Sequence, residues 1–173
     1  MTSSSVPFPV PTTGTDLVSA RAAGLADRHG PALYLLGLTV TGSPARSRAA
    51  VAAVIADACR RPERPGAVDE QEVRRELARQ TFYRCAATAE QVRFDPAVRP
   101  LHFEDLMAWL GTLSGYQRAA IALCVYGEHR AWQAAAVLDV STATVHELLF
   151  WGLQDLVQWT RAATPPGRQR ARD

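Results

Sequence analysis

The sequence predicts an all-α protein built from two small helical domains that are joined by a linker. Apolar residues recur three and four positions apart over most of the chain, and no stretch alternates in the manner of a β-strand. Residues 89–102 contain two prolines and no sustained period, so the linker is expected there. The expected divisions are a disordered tail at 1–15, a helical domain at 16–88, the linker at 89–102, a helix-turn-helix domain at 103–162, and a flexible Arg-rich tail at 163–173.

Four helices are expected in the first domain. The first begins near Asp16 and ends near Arg28, because Gly30-Pro31 interrupts the pattern, and a second runs from Pro31 to about Gly42. Ser43-Pro44 begins the third helix, and Asp69 or its neighbour caps the fourth, EQEVRRELARQTFYRCAAT. In the fourth helix the pattern turns three side chains inward and three outward: Val73, Leu77 and Phe82 inward, Arg74, Arg75 and Arg79 outward.

The second domain contains a pattern that satisfies the steric requirements of a helix-turn-helix. Short helices are expected at Phe103–Leu113, after a Ser114 cap, and around Arg130–Leu138, and a long last helix is expected from a Ser141 cap to about Arg161. Ala135 is small where two helices must approach closely, and Asp139 occupies the turn, where it tolerates the left-handed backbone conformation. The positions that join the two helices are apolar: Leu138, Val140, Val145 and Leu148.

Composition excludes several classes of protein. Apolar residues make up 47% of the chain and charged residues 21%, which is ordinary for a globular protein. No apolar run is long enough to cross a bilayer, and the N-terminus lacks the basic start and apolar core of a secretory signal, so we expect a cytoplasmic protein. All 19 basic residues are arginine, which is typical of a high-GC bacterial genome. The three cysteines are expected to be small buried hydrophobes: Cys59, Cys85 and Cys124.

No chemistry-bearing constellation stands out. The four histidines have neither metal-ligand spacing nor a nearby pair of carboxylates, so no metal site is expected. The sequence has no Ser-His-Asp pattern and no Gly-rich phosphate loop, so we expect neither a catalytic residue nor a cofactor.

Two segments resemble a known family. The order Leu-Ser…Gln-Arg, an apolar helix, Gly, then AVLDVSTATV resembles region 4 of an extracytoplasmic-function sigma factor of the sigma-70 family. In the N-terminal half, HGPALYLLGLTVTGSPARSRAAVAAVIADACRRP resembles the start of region 2. The resemblance covers roughly residues 16–160. It implies a transcription initiation factor that binds the RNA polymerase core and promoter DNA, with an anti-sigma or other regulatory protein as a further candidate partner.

The resemblance also implies two DNA-binding sets. The N-terminal half of the last helix would read the minus-35 element in the major groove, and the fourth helix would bind the minus-10 element. A solvated helix face is the alternative in both places. The implied minus-35 residues are Ser141, Thr142, Thr144 and His146. The implied minus-10 residues are Arg74, Arg75, Arg79, Phe82, Tyr83 and Arg84.

Three departures from the family favour an alternative function. Residues 103–162 carry three arginines and six acids, although a DNA reader usually carries excess positive charge. Arg46–Ala53 lacks the acidic residues with which region 2 meets polymerase. The last helix becomes apolar at Leu148–Trp151, so Phe150 or Trp151 must either pack on the Phe103 helix or the first domain, or form a partner surface. The alternative is a sigma-derived protein-interaction regulator that has lost much of its DNA and polymerase binding.

Overall fold

The computed structural model describes residues 14–61, 69–88 and 103–163, with side chains at 16–61, 69–88 and 108–158. These parts of the chain are helical and contain no strand, so the predicted all-α class is confirmed. The predicted linker at 89–102 lies outside the described residues, as do residues 1–13 of the predicted tail at 1–15 and residues 164–173 of the predicted tail at 163–173. Both predicted tails are too long, because Gly14 and Thr15 belong to the first helix and Ala163 to the last. The elements are α1 (Gly14–Thr41), α2 (Pro44–Arg60), α3 (Glu70–Thr88), α4 (Phe103–Thr112), α5 (Gly115–Ile121), a π-helix (Ala122–Tyr126), α6 (Ala131–Leu138) and α7 (Thr142–Ala163).

The helix starts follow the predicted capping residues. The Ser43 side chain accepts a hydrogen bond from the backbone N–H of Arg46, and Ser114 accepts one from Gln117 at 3.2 Å. Asp69 likewise accepts from the backbone N–H of Gln71 at 3.0 Å. Each bond satisfies one of the N–H groups that the first turn of a helix leaves without a partner.

The predicted break at Gly30-Pro31 is wrong, because α1 runs through both residues. Proline disfavours helix at the preceding residue through a clash that partly involves the Cβ of that residue, and Gly30 has none. His29, Leu33 and Leu36 on either side are buried, so tertiary packing holds the helix together across the missing Pro31 N–H.

Helices α1, α2 and α3 pack on one another, and Gly37 lies at a close approach of α1 to α2. A Cβ at Gly37 would lie 2.6 Å from Ser47 Oγ and 3.3 Å from Cys85 Sγ. The hydroxyl of the buried Ser47 donates to Tyr34 O at 2.6 Å. This contact therefore joins all three helices at one point.

The two halves of the chain share one hydrophobic core. Helix α1 packs against the π-helix and α5, and the end of the π-helix approaches α3 so closely that a Cβ on Gly127 would lie 3.1 Å from Ala78 Cβ. The predicted division into two domains is therefore not confirmed. The cluster includes Leu33, Leu36, Val54, Leu77, Phe82, Leu123, Ala134 and Val145.

A smaller cluster attaches α4 to α5 and α7. Trp109, Leu110 and Leu113 are buried there with Ile121, against the partly buried Leu149 and Leu156. The three cysteines are free thiols: Cys59 and Cys85 are buried, and Cys124 is half-buried. Among the described residues, no helix is sufficiently long and apolar to traverse a bilayer.

Candidate nucleic-acid and partner surfaces

The turn between α6 and α7 has the geometry expected of a helix-turn-helix. Asp139 adopts the predicted left-handed conformation with φ 54°, and the N–H of Val140 donates to Ala135 O at 3.1 Å. Val145 is fully buried, and Ala135 nearly so, where the two helices meet. A short polar residue tolerates a positive φ better than a bulky one, which is why Asp can stand where Gly is common.

The predicted minus-35 residues differ in exposure and in whether they form hydrogen bonds within the protein. Ser141, Thr142 and His146 are exposed, whereas Thr144 is half-buried. Ser141 Oγ accepts from the backbone N–H of Thr144 at 3.0 Å and lies 2.8 Å from the Thr144 hydroxyl. Ser141 is therefore first a helix cap, and Thr142 and His146 are the members of the set that can reach a ligand.

The surface around these residues has no positive charge of its own. Between Arg130 and Arg161 the sequence contains three acids, Asp139, Glu147 and Asp155, and no lysine or arginine. Cationic side chains supply the electrostatic part of phosphate binding, so the α6–α7 segment would contact phosphate only through hydroxyl and backbone N–H groups.

The predicted minus-10 set is split between two sides of α3. Contrary to the prediction, Arg74 and Arg75 do not face outward. Arg74 contacts Glu128 at 2.8 Å and donates to Tyr126 O at 3.3 Å, and the Arg75 side chain is only 15% exposed. Phe82 lies in the shared core. Arg74 and Phe82 therefore contribute to the packing of the fold, because α3 is covered on a second side by the end of the π-helix and the segment that follows it. Arg75 pairs with Asp69 and Glu72 at the start of its own helix.

The other three members lie on a different, exposed side of α3. Arg79, Tyr83 and Arg84 are open to solvent there. Arg60 and Arg61, at the end of α2, lie close to the same side: Arg60 and Arg84 both pair with Asp57, and Arg61 and Arg79 both pair with Glu76. We call this surface the α2–α3 seam, defined by Arg60, Arg61, Arg79, Tyr83 and Arg84.

The two carboxylates of the seam are shared by twice as many guanidinium groups. Glu76 receives hydrogen bonds from Arg79 and Gln80 at 2.6 Å and lies 3.7 Å from Arg61. Burial by itself would raise the pKa of Glu76, but these hydrogen bonds and the two arginine charges outweigh it and lower the pKa. The lowered pKa keeps Glu76 in its anionic form, and the seam is net positive because four guanidinium groups outnumber the two carboxylates. Sequence reasoning missed Arg60 and Arg61 because their place beside α3 depends on tertiary packing.

Two buried histidines lie near the contact between the halves. His29 Nε2 is 3.3 Å from a Glu70 carboxylate oxygen, and His129 Nδ1 donates to Gly127 O at 3.1 Å. Desolvation lowers the pKa of both rings. Two effects act in the opposite direction without outweighing it: the charge of Glu70 raises the pKa of His29, and hydrogen bonds with the backbone raise the pKa of His129. Among the described residues, no group of three or more acids, histidines or cysteines could hold a metal ion.

The aromatic turn of α7 remains uncovered although the halves are in contact. Phe150 is 54% and Trp151 57% exposed, and their rings meet edge to face at 5.3 Å. Of the two alternatives for Phe150 or Trp151, packing on the first domain or the Phe103 helix does not cover either side chain, because Val145, Leu149 and Gly152 form the side of α7 that packs inward. Leu153, which the sequence reasoning did not single out, is also 54% exposed.

Comparison of this chain with protein-family models and with curated proteins finds no match.

Proposed function

We propose that this protein is a sigma-factor-like regulator of transcription initiation in the bacterial cytoplasm, and that it contacts promoter DNA chiefly through the α2–α3 seam. The observation that carries the proposal is the seam itself, where four exposed arginines share two carboxylates beside the exposed Tyr83. The resemblance of the sequence to sigma regions 2 and 4 supports the same function. No catalytic role is proposed.

The chemistry of the seam suits a single strand of nucleic acid. Guanidinium groups bind phosphates, and an exposed aromatic ring offers a stacking platform to a base that has left the duplex. Arg60, Arg61, Arg79 and Arg84 would exchange part of their pairing with Asp57 and Glu76 for phosphate, which costs little at exposed ion pairs.

Helix α7 would contribute less to DNA binding. Thr142 and His146 are accessible for contact with base edges, and the helix-turn-helix geometry supports entry into a major groove. No lysine or arginine lies at 131–160, so this segment lacks the charged phosphate contacts that help to position a reader helix. In the minus-35 role, the positive charge for phosphate contacts would therefore come from Arg130 and from bound polymerase.

Binding to single-stranded oligonucleotides over a range of salt concentrations tests the seam. Labelled DNA should bind by fluorescence anisotropy with an affinity that falls as salt rises, and Arg61→Ala should reduce the salt slope by about 0.7 for each phosphate that the protein no longer neutralises. Arg28→Ala is the matched control, since both side chains are 61% exposed and each lies more than 3.5 Å from its carboxylate. A salt-independent affinity, or an equal reduction in both variants, would remove the seam from nucleic-acid binding.

Association with polymerase needs a separate test. If the sigma-like function holds, RNA polymerase core subunits should co-purify with the full chain from the native cell extract. Their absence would leave the sigma resemblance as ancestry only and would favour the second candidate function.

That second candidate is a protein-interaction regulator that has kept the sigma scaffold. The exposure of Phe150, Trp151 and Leu153 on α7 favours it, because large apolar side chains that lie together on a surface are typical of partner sites. This function and DNA binding at the seam are compatible, since they use different helices.

A further inference from the structure

The connection between the π-helix and α6 is held against α3. We call it the 126–129 segment, which consists of Tyr126, Gly127, Glu128 and His129. Arg74 of α3 lies 2.8 Å from the Glu128 carboxylate and donates to Tyr126 O at 3.3 Å. The backbone of Gly127 approaches α3 so closely that a Cβ there would lie 3.1 Å from Ala78 Cβ. The segment is therefore docked on α3 by an ion pair, a hydrogen bond and backbone packing.

The docked conformation is strained at Glu128. Its φ is 54°, in the left-handed region that residues with a long side chain seldom adopt. Such a conformation persists only where the surrounding contacts enforce it. The N–H of His129, which follows Glu128, donates to Leu123 O at 3.0 Å. Release from α3 would let the backbone of Glu128 relax, and the His129 N–H would then lose this acceptor.

His129 brings a titratable ring into the docked surface. It is only 7% exposed, and its Nδ1 donates to Gly127 O at 3.1 Å. Among the described residues, the charges of α3 that act on the ring are those of two cations, Arg75 and Arg79. Desolvation lowers the pKa of the ring and outweighs the hydrogen bonds with the backbone, which raise it. A proton on His129 is therefore more favourable when the ring leaves α3 for water.

His29 is the other buried ring near this contact, but it lies in α1. Glu70 of α3 and Glu128 attract a proton to it. Arg28 of α1 and Arg74 of α3 oppose that proton, so the ring faces two acids and two bases. Helix α1 holds His29 beside Glu70 whether or not the 126–129 segment is docked, so a variant at His29 separates its effect from that of His129.

We propose that the 126–129 segment is a pH-sensitive device, which detaches from α3 in acid when His129 becomes cationic while the shared core stays folded. Detachment relieves the strain at Glu128 and removes the charged ring from a buried site between two arginines. The core does not have to open, because Leu123 and Ala134 on either side of the segment are fully buried in it. This inference goes beyond the proposed function and does not depend on nucleic-acid binding at the seam.

The direction and the range of pH follow from the histidine. In the detached form the ring titrates at about 6.5, and in the docked form its pKa is lower, so acid below that value favours detachment. If the docked ring gained no proton, the detachment equilibrium would rise about tenfold between pH 7.5 and 5.5. Carboxyl groups ordinarily titrate at about pH 4, so this range isolates histidine.

Amide hydrogen exchange, resolved by NMR on the full chain, tests the proposal. At pH 5.5 the His129 amide should exchange faster than the Val54 amide in the middle of α2. Low concentrations of denaturant should accelerate mainly the Val54 amide, because detachment exposes little surface. Corrected for the intrinsic effect of pH, exchange at His129 should be about three- to tenfold faster at pH 5.5 than at pH 7.5. In His129→Gln this increase should disappear, because glutamine does not titrate.

Two pairs of variants supply the controls, and circular dichroism checks that each variant folds. His146→Gln removes a histidine from an exposed position on α7 and should leave the pH dependence at position 129 unchanged. Glu128→Gln removes the ion pair with Arg74 and should increase detachment at pH 7.5 by about threefold. Glu72→Gln removes a 3.0 Å ion pair within α3 and should not have this effect.

Three results would overturn the proposal. Equal protection and equal denaturant sensitivity of the His129 and Val54 amides would show that the segment opens only when the whole chain unfolds. No increase of exchange at His129 in acid would remove the pH sensitivity. An increase that persists in His129→Gln would exclude this ring as the trigger, and its loss in His29→Gln would assign the trigger to His29.

Discussion

Replacing Gly37 by Ala tests whether the two halves of the chain unfold as one unit. The new Cβ would lie 2.6 Å from Ser47 Oγ, far inside contact distance, and would force the buried serine away from Tyr34 O. Overpacking of this kind costs about 1 to 3 kcal/mol, and breaking the hydrogen bond adds about 1 kcal/mol. Since Ala is better than Gly within a helix by about 1 kcal/mol, we expect a net destabilisation of about 1 to 3 kcal/mol.

The distribution of tryptophan makes the assay selective. All four tryptophans lie between residues 109 and 159, so their fluorescence reports only the C-terminal half, whereas far-ultraviolet circular dichroism reports every helix. If the shared core is one cooperative unit, Gly37→Ala should lower the transition temperature equally by both probes, by about 2 to 12 °C. Gly24→Ala in the same helix is the control. Its Cβ would meet only the end of the Arg28 side chain, at 3.9 Å, so stability should rise or stay level.

Two outcomes would refute this reasoning. If the fluorescence transition stays in place while the dichroism transition falls, the halves unfold separately and the two-domain division predicted from the sequence is restored. If Gly37→Ala and Gly24→Ala have the same effect, then Ser47 is able to move away at no cost, and the close approach of α1 and α2 is not a constraint.

Three further predictions concern the backbone at Pro31 and Asp139 and the buried His129. Pro31→Ala should raise the free energy of unfolding in a denaturant titration by about 1 to 3 kcal/mol. Pro31 is exposed within a continuous helix, and the change restores a helical N–H. No gain in stability would mean that α1 does break there. Asp139→Gly should raise the melting temperature slightly and Asp139→Val should lower it, since φ is 54°; the reverse order would contradict the left-handed turn. Desolvation lowers the folded-state pKa of His129, so its stabilising neutral form is fully present above the unfolded pKa of about 6.5. Stability should therefore fall as pH drops below that value. Between pH 7 and 5, the stability of the His129→Gln variant should decrease less than that of the wild type.

Local chemistry explains what the sequence predicts well. The caps at Ser43, Asp69, Ser114 and Ser141 involve hydrogen bonds to atoms only two or three residues away. Because these bonds do not depend on tertiary packing, they can be predicted from neighbouring residues alone. The left-handed Asp139 turn is local in the same sense. These features place the helix-turn-helix correctly without any knowledge of the core.

The errors arise where a second element decides the outcome. Periodicity along α3 assumes one buried side, yet Glu128 and the Tyr126 carbonyl approach from another, and they turn Arg74 inward. Glu128 itself has φ 54°, a conformation that no residue pattern in the sequence indicates. In the same way, Pro31 is carried inside α1 because buried residues on both sides of it are packed against other helices.

The shared core and the exposed apolar side chains of α7 can be perturbed independently, for a geometric reason. Val145, Leu149 and Gly152 lie on the inward side of α7, whereas Phe150 and Leu153 lie off that side, so a partner that covered them would require no movement of the core. Gly37→Ala acts in α1 and α2 and should therefore change the melting temperature without changing the exposure of Phe150 and Leu153 in the folded state.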